Sequence, residues 1–244
     1  MPVPTDTAPS AVMNLLFVSG TDTEVGKTYV ACHIIRQLRS DGHRVGASKP
    51  VCSGAAEVNG RLIWEDVQQL AAAVTGRADA QNDLTDRICP QRFRAPVAPN
   101  VAARIENRDI CDATLVNGIQ AWESFADYVV VEGAGGLLSP ISDRWLVADL
   151  VEQLAAPLLL VAASRLGAIH QTLTTVEAAR ARGLSIVAVV LNHVLPDVDA
   201  ELHDINEQQL RRLMPDIPLF VAEHGRLIRR QGEADVTSWF RHPD

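Results

Sequence analysis

Aromatic residues and cysteines are scarce in this chain. Phe, Trp and Tyr make up 5% of the 244 residues, so a hydrophobic core must be built mainly from Ala, Val, Leu and Ile. The four cysteines form no CxxC pair and have no histidines at zinc-ligand spacing, which excludes the common structural zinc sites. A chain of this length with 47% hydrophobic residues can bury a core without a disulfide framework. We therefore expect four reduced thiols.

A basic surplus, a long apolar run and a secretion signal are also missing. The formal net charge is −8, which argues against a nucleic-acid-binding protein and against a polybasic membrane-surface binder. The longest apolar run, 155–163, is interrupted by Pro157 and is less than half of the ~20 residues that span a bilayer. Residues 1–13 have no signal-peptide pattern and predict a disordered lead-in, with Met13 as an alternative start. These absences predict a cytoplasmic protein without a membrane partner.

What the chain does contain is an alternation of apolar strands and amphipathic helices. Residues 27–40 have clear helical periodicity, and the sequence YVVV at 128–131 is typical of a strand buried on both faces. The expected strands are 14–19, 44–49, 128–131, 157–162, 185–191 and 217–221. The expected helices are 27–40, 65–74, 114–125, 146–155, 169–182 and 200–214.

This alternation predicts a single α/β domain over 14–244. The sheet should be doubly wound and mostly parallel, with helices on both faces. Ligands of such sheets bind beyond the carboxyl ends of the strands. The loops expected to line a site are therefore those after Ser19, Lys49, Val131, Ala162 and Leu191.

The loop after the first strand carries a phosphate-binding pattern. GTDTEVGKT at 20–28 resembles the P-loop G-x-x-x-x-G-K-[ST], and it lies between a strand and a helix, as that motif requires. Backbone N–H groups would face phosphate oxygens, Lys27 would add a positive charge, and the Thr28 hydroxyl would hold Mg²⁺. The loop is one residue longer than the consensus, so Thr21 stands where the first glycine is expected. The pattern predicts a nucleotide-binding loop.

Two further charged residues lie at the ends of predicted strands. Glu132 follows the strand 128–131 and precedes four residues of a glycine-rich loop, 133–136, whose backbone a ligand can approach closely. This carboxylate is the expected second anchor for Mg²⁺. Lys49 ends the second strand at the same sheet edge, where it can reach a transferring phosphoryl group. For Lys49, spacing alone fits a surface lysine equally well.

Taken together, these segments resemble the dethiobiotin synthetase family. The matching pieces, in family order from Asn14 to about Phe220, are GTDTEVGKT at 20–28, KPVCSG at 49–54, Asp66, FRAPVAP at 93–99, VEGAGGLLSP at 131–140, RLGAIH at 165–170 and Asn192. The longer P-loop is a trait of this family. The resemblance implies a ligase that closes a ureido ring on 7,8-diaminopelargonate with CO₂ or bicarbonate and MgATP. The reaction would pass through a carbamate and a carbamic-phosphoric anhydride, and would release dethiobiotin, ADP and phosphate.

The resemblance also implies roles for individual residues. Lys27 and Lys49 would stabilise phosphate and carbamate charge, and Thr28, Asp66 and Glu132 would hold Mg²⁺. The residues implied at the nucleotide are Glu24, Val25, Gly26, Lys27, Thr28, Tyr29, Asp66, Glu132, Gly133, Ala134, Gly135 and Asn192. The residues implied at the diamine are Ser53, Gly136 and, from the other chain of a homodimer, Gly167, Ala168 and Ile169. In that dimer the helix start at 167–169 would receive the substrate carboxylate.

Some residues depart from the family pattern. Asn100 stands where the family often has histidine, and the pair His170-Gln171 stands where an Asn-His pair is common, both near the expected diamine pocket. The match fades after about Phe220. There, Arg226, Arg229 and Arg230 predict a solvated basic stretch, while Trp239 and Phe240 fit either the core or a dimer face.

Three other interpretations of the P-loop can be compared with the sequence. A partitioning-type ATPase would carry an additional lysine early in the loop, where residues 21–24 are Thr, Asp, Thr and Glu. A cobyrinic-acid amidotransferase would require a glutaminase domain, for which the chain has no room. A catalytically silent relative would lack matched polar residues that this chain retains. Of these interpretations, a synthetase is the one that accounts for all the motifs.

Overall fold

A six-stranded sheet forms the centre of the chain, whose computed structural model describes residues 13–78, 82–194, 200–223 and 236–241. The strands are β1 (Asn14–Gly20), β2 (Val45–Ser48), β3 (Val51–Cys52), β4 (Ala56–Val58), β5 (Arg61–Ile63), β6 (Gln91–Arg92), β7 (Tyr128–Gly136), β8 (Leu158–Ala163), β9 (Ile186–Asn192) and β10 (Leu219–Ala222). The helices are α1 (Lys27–Ser40), α2 (Glu65–Thr75), α3 (Asn82–Ile88), α4 (Pro99–Ile105), α5 (Asp112–Gln120), α6 (Val147–Leu154), α7 (Ala168–Ala181) and α8 (Ala200–Leu213). The predicted lead-in, except Met13, and Arg226, Arg229 and Arg230 lie outside the described residues.

The order of the strands confirms the doubly wound fold. In space they run β10-β9-β8-β1-β7-β2, and every neighbouring pair is parallel. The chain moves from β1 outward to β2, and later from β7 past β1 to β8, β9 and β10. Because crossovers between parallel strands are right-handed, this reversal of direction places helices on both faces of the sheet. Helix α1 packs with α2, α5 with α6, and α7 with α8.

Burial on both faces explains the long apolar runs of the strands. Every residue of β8 is buried, and β9 is buried from Val187 onward. Aliphatic side chains fill most of the core, as the shortage of aromatics predicts. One exception lies on β2, where a Cβ on Gly46 would come within 2.5 Å of the Trp122 ring. The glycine therefore lets this indole pack directly on the sheet.

The two aromatic residues near the C-terminus belong to the core of this chain. Trp239 and Phe240 lie in a 3₁₀ turn over Val236–Phe240 and are 4% and 6% exposed. The ring of Trp239 meets Phe220 edge-on at 4.7 Å, and that of Phe240 meets Tyr128 at 5.0 Å. Such edge-to-face pairs add to the stabilisation from burial. Of the two predicted roles for these residues, the core is therefore the one observed.

Several predicted boundaries are wrong. Strand β2 ends at Ser48, so Lys49 follows the strand. Strand β7 does not end at Val131 but continues to Gly136, so the predicted glycine-rich loop is extended strand. The last residue of this strand, Gly136, remains paired with Gly20 of β1. Helix α5 covers Asp112–Gln120, not 114–125.

The segment between β2 and α5 contains elements that were not predicted. Strands β3 and β6 form a two-residue parallel pair, β4 and β5 form a small antiparallel hairpin, and α3 and α4 are seven-residue helices. Elements this short carry too few residues to show a hydrophobic period. Among the described residues, no helix has both the length and the apolar character needed to cross a membrane.

Candidate active site

The P-loop leaves β1 at Gly20 and enters α1 at Lys27. Gly26, the residue before the helix, has φ of +90°, a left-handed conformation that favours glycine. A Cβ on Gly26 would also lie 2.0 Å from the Asn192 amide nitrogen. That amide donates a hydrogen bond to the Val25 carbonyl at 3.0 Å. Asn192, at the end of β9, therefore stabilises the P-loop through its hydrogen bond to Val25. The absence of a side chain at Gly26 leaves space for the Asn192 amide.

Lys27 lies inside the loop with only 7% of its surface exposed. Its Nζ donates to the backbone carbonyl of Asp22 at 2.8 Å. Burial lowers the pKa of Lys27 to about 8, although the Glu132 charge opposes the shift. Phosphate oxygens bound in the loop would supply the anionic partner that favours the ammonium form.

The second lysine is held in a different way. Lys49 Nζ lies 2.6 Å from Asp66 Oδ2 and 2.6 Å from Glu132 Oε1. Burial alone would lower the pKa of Lys49, but the two carboxylates outweigh it and raise the pKa. Burial likewise acts to raise the pKa of Asp66, and the Lys49 charge lowers it overall. Sequence spacing left open whether Lys49 is a surface lysine. The structure shows that Lys49 is buried and ion-paired at the sheet edge.

Oxygen atoms around this ion pair could hold a magnesium ion. The Thr28 hydroxyl donates to Glu132 Oε1 at 2.8 Å, and Glu132 is 1% exposed. Glu132 Oε2 is buried and has no hydrogen-bond partner among the described residues, so this carboxylate keeps one oxygen that could bind a metal ion. The described residues contain no group of three or more His, Cys, Asp or Glu able to hold a metal. Mg²⁺ bound mainly through nucleotide phosphates needs only one or two carboxylates, which Asp66 and Glu132 supply.

A cavity of about 410 Å³ opens at this edge of the sheet. It is formed by the P-loop, the segment after β2, the start of α2 and the end of β7. The predicted site residues that line it are Glu24, Gly26, Lys27, Thr28, Tyr29, Lys49, Ser53, Asp66, Glu132, Ala134 and Gly135. Residues that are far apart in sequence meet here because the carboxyl ends of parallel strands share one edge.

Other predicted site residues do not line this cavity. They are Val25, Gly133, Gly136, Gly167, Ala168, Ile169 and Asn192. Val25 is fully buried, and a Cβ on Gly133 would meet Val147 at 3.0 Å, so both lie beneath the cavity. The Gly136 N–H already donates to Ser139 Oγ at 2.9 Å. Among the described residues, the loops expected to contribute after Ala162 and Leu191 supply no lining residue.

The segment expected to act in a partner chain lies beside the P-loop of its own chain. Gly167 has φ of +90° and precedes α7, and Ala168 is buried. Arg165, two residues earlier, lies 3.6 Å from Asp22 of the P-loop in an ion pair. A role for 167–169 in a partner's site stays a prediction.

Three lining residues were missed by the sequence analysis: Thr23, Cys52 and Gln69. Gln69 follows Asp66 by three residues on α2, a spacing that places both on one helix face. Cys52 adjoins Ser53 in the matched motif, but β3 was not predicted. Asn100 lines a second cavity, of about 480 Å³, with Arg104 and Arg144 rather than the P-loop cavity, and His170 is exposed on α7.

Comparisons with known proteins agree with the motifs. A family model described as an AAA domain matches residues 14–220. The ATP-dependent dethiobiotin synthetase BioD of Aromatoleum aromaticum is 39% identical over 203 residues, which cover 83% of this chain and 87% of that protein. BioD of Anaeromyxobacter dehalogenans strain 2CP-1 is 40% identical over 219 residues, covering 90% and 87%. BioD of Caulobacter vibrioides strain NA1000 is 42% identical over 194 residues, covering 78% and 85%.

FtsY structures resemble the chain only distantly. FtsY from Elizabethkingia anophelis in complex with GDP aligns with 97% of this chain at 16% identity and a TM-score of 0.49. This chain spans 65% of that longer structure, and the likeness is too distant to bear on function. The curated relatives match most of the chain at about 40% identity, and the match of the family model over 14–220 includes the P-loop and the Lys49 segment. The chain therefore belongs to the family of ATP-dependent dethiobiotin synthetases.

Proposed function

We propose that this chain closes the ureido ring of dethiobiotin from 7,8-diaminopelargonate and CO₂, with ATP and Mg²⁺, in biotin biosynthesis. The observation that carries the proposal is the pair of lysines in one cavity. Lys49 is buried and ion-paired to Asp66 and Glu132, and Lys27, in the P-loop, lines the same cavity. Two fixed positive charges suit a reaction between two anions, a carbamate and a triphosphate.

The proposed chemistry requires no nucleophile from the protein. One amine of the substrate adds to CO₂ and gives a carbamate. A carbamate oxygen attacks the γ-phosphorus, and ADP leaves. The second amine then attacks the carbamate carbon, closes the ring and expels phosphate. Catalysis in such a sequence consists of positioning the reactants and stabilising charge.

The lysines would stabilise the charge that develops on oxygen. Lys27 would approach the β- and γ-phosphates, because its Nζ already lies within the P-loop. Lys49 would stabilise the carbamate and the transferring phosphoryl group, and its carboxylate partners keep it protonated. Thr28, Asp66 and Glu132 would hold Mg²⁺, which when bound neutralises charge on phosphate oxygens. Ser53, whose hydroxyl now donates to the Val97 carbonyl at 2.5 Å, would contact the diamine or its carbamate.

The nucleotide would lie along the P-loop and the end of β7. Backbone groups of 24–29 and 133–135 would contact its phosphates and sugar. Asn192 would bind adenine, which is supported by its Oδ1 atom, buried and without a hydrogen-bond partner. In a homodimer, the partner's 167–169 would receive the substrate carboxylate, and Gly136 would contact the substrate. Support for the homodimer comes from Leu166, an apolar side chain next to this segment that is 87% exposed.

The proposal predicts that ADP release depends on both the diamine and bicarbonate. The assay measures ADP with each reactant omitted in turn, and mass spectrometry follows the incorporation of ¹³C-bicarbonate into dethiobiotin. Equal rates of ATP hydrolysis with and without the diamine would contradict the synthetase and favour an ATPase switch. Omission of Mg²⁺, with a chelator present, should abolish turnover. Activity that survives chelation would remove Thr28, Asp66 and Glu132 from the proposed metal site.

A further inference from the structure

Two cysteines that are distant in sequence lie against each other beneath the active-site cavity. The Cys89 thiol donates to Cys52 Sγ, and the two sulfur atoms are 3.3 Å apart. Cys52 is 4% exposed and lines the cavity, whereas Cys89 is fully buried behind it. The proposed synthetase reaction uses neither thiol. A pair of adjacent thiols, one of which faces a solvent-filled cavity, is a site for thiol–disulfide chemistry.

The backbone brings these thiols together through the short elements between β2 and α5. The Lys49 N–H donates to the Ile88 carbonyl at 2.8 Å, and the Phe93 N–H donates to the Cys52 carbonyl at 3.0 Å. Strand β3 also pairs with β6, so the chain is tied on both sides of each cysteine. A disulfide has an S–S length of about 2.05 Å, so the sulfur atoms would need to approach by about 1.2 Å.

The other two cysteines are in different surroundings. All four cysteines are free thiols. Cys32 is buried in α1, and burial raises the pKa of its thiol to about 12. Cys111 is exposed, and a hydrogen bond from Thr114 lowers the pKa of its thiol. Cys111 therefore serves as a control for reactions that depend on exposure and a lowered thiol pKa rather than on a neighbouring thiol.

We propose that Cys52 and Cys89 are a redox-active dithiol, which a small-molecule disulfide oxidises to an intramolecular disulfide that lowers turnover. Cys52 attacks first, because it is the thiol that faces the cavity. Burial raises the pKa of Cys89 well above its usual value, which suits this thiol to the second step only.

The oxidation of Cys52 and Cys89 takes place in two thiol–disulfide exchange steps. The Cys52 thiolate attacks one sulfur of the small disulfide, which forms a mixed disulfide and releases one thiolate of the reagent. Cys89 then attacks the Cys52 sulfur, and the second thiolate of the reagent leaves. The two protons lost from Cys52 and Cys89 pass to the two released thiolates. The protein is oxidised by two electrons, and the reagent is reduced to its thiol form.

The disulfide would act on the reaction through the segment that carries Lys49 and Ser53. Cys52 lies three residues after Lys49 and directly before Ser53. Drawing its sulfur toward Cys89 shifts this short segment relative to Asp66 and Glu132. Misplacement of a reacting group by about 1 Å can lower a rate by about 100-fold. We expect the disulfide to lower turnover by at least about tenfold.

The test uses the full chain and the cyclic disulfide form of dithiothreitol, which forms stable protein disulfides only between neighbouring thiols. After acid quenching and alkylation, trypsin cleavage should yield residues 45–61 linked to residues 88–92. These peptides hold Cys52 and Cys89, and cleavage at Lys49 is blocked by Pro50. Turnover should fall in parallel with cross-linking and return on addition of reduced dithiothreitol.

Two variants provide matched controls. Cys89→Ala should keep its basal turnover and should neither cross-link nor lose activity with the reagent. Cys111→Ser should behave like the unchanged chain in both respects. The cross-link is detected in the unchanged chain without substrates, so a failure of the proposed synthetase reaction leaves this readout intact. Free thiols at both Cys52 and Cys89 at equilibrium with excess reagent would overturn the proposal, and so would complete cross-linking with full turnover.

Discussion

Lys27 and Lys49 line the same cavity, and the protein holds their ammonium groups in opposite ways. Lys27 contacts a backbone carbonyl, and burial lowers its pKa to about 8. Lys49 bridges Asp66 and Glu132, and those carboxylates raise its pKa. The charge of Lys27 is therefore less fully paired within the protein than that of Lys49, so a nucleotide can supply its anionic partner. The same residue type serves ligand binding in one region and the internal charge balance in the other.

Lys49→Ala should have the largest effect of any change that tests this comparison. It would leave the Glu132 carboxylate buried without its counter-charge, at a cost of about 3–5 kcal/mol of unfolding free energy. Turnover should fall by about 10²–10³-fold, as expected for loss of one charge-stabilising group. Nucleotide affinity should stay within a few-fold. Urea unfolding, steady-state kinetics and nucleotide titration measure the three quantities. Full turnover in this variant would remove Lys49 from the proposed mechanism.

Lys27→Ala should have a large effect on nucleotide affinity and a small effect on stability. Nucleotide affinity should fall by roughly 10- to 100-fold, because a hydrogen bond to a charged group contributes about 1.5–3 kcal/mol. The unfolding free energy should change little, since within the described part of the chain Lys27 forms no ion pair like that of Lys49, and burial disfavours its ammonium form. The same nucleotide titration and urea unfolding apply. A loss of stability as large as that of Lys49→Ala would show that the two lysines are not held differently.

Gly26→Ala tests the P-loop side without removing a charge. Gly26 and Gly42 both have φ near +90°, but a Cβ on Gly26 would meet Asn192, whereas nothing lies within 4 Å of one on Gly42. Both alanine variants should carry the backbone strain of about 1–3 kcal/mol. Gly26→Ala should lose about 1–3 kcal/mol more from overpacking, and should weaken nucleotide binding. Equal unfolding midpoints for the two variants would contradict the assigned role of Asn192.

Arg44→Ala should have the smallest effect. Arg44 pairs with Asp127 at 2.5 Å, but its side chain is 61% exposed, and exposed ion pairs contribute little to stability. The urea midpoint should move much less than in Lys49→Ala, and nucleotide affinity should not change. A shift as large as that of Lys49→Ala would show that burial does not separate the two ion pairs.

The P-loop side could be predicted from the sequence because its chemistry lies within nine consecutive residues, 20–28. The contacts of Lys49 could not be predicted in this way, because they join it to Asp66 and Glu132, which are 17 and 83 positions away. Asp66 was found only through its match to a family motif, since an acid in the first turn of a helix is commonplace. Cys52 and Cys89 are 37 positions apart, and their contact depends on β3 and α3, which have two and seven residues. No local sequence pattern predicts this contact.

The sequence by itself determined the six strands of the parallel sheet, the six helices that alternate with them, the P-loop and the family, because local periodicity or contiguous motifs specify each of these. Only the tertiary structure decided that Lys49 is buried between two carboxylates, that Asn192 supports the P-loop, and that Trp239 and Phe240 belong to the core. The extension of β7 to Gly136 was likewise decided by pairing with β1. Burial and charge pairing are properties of neighbours in space, and the parallel sheet brings those neighbours together from distant parts of the chain.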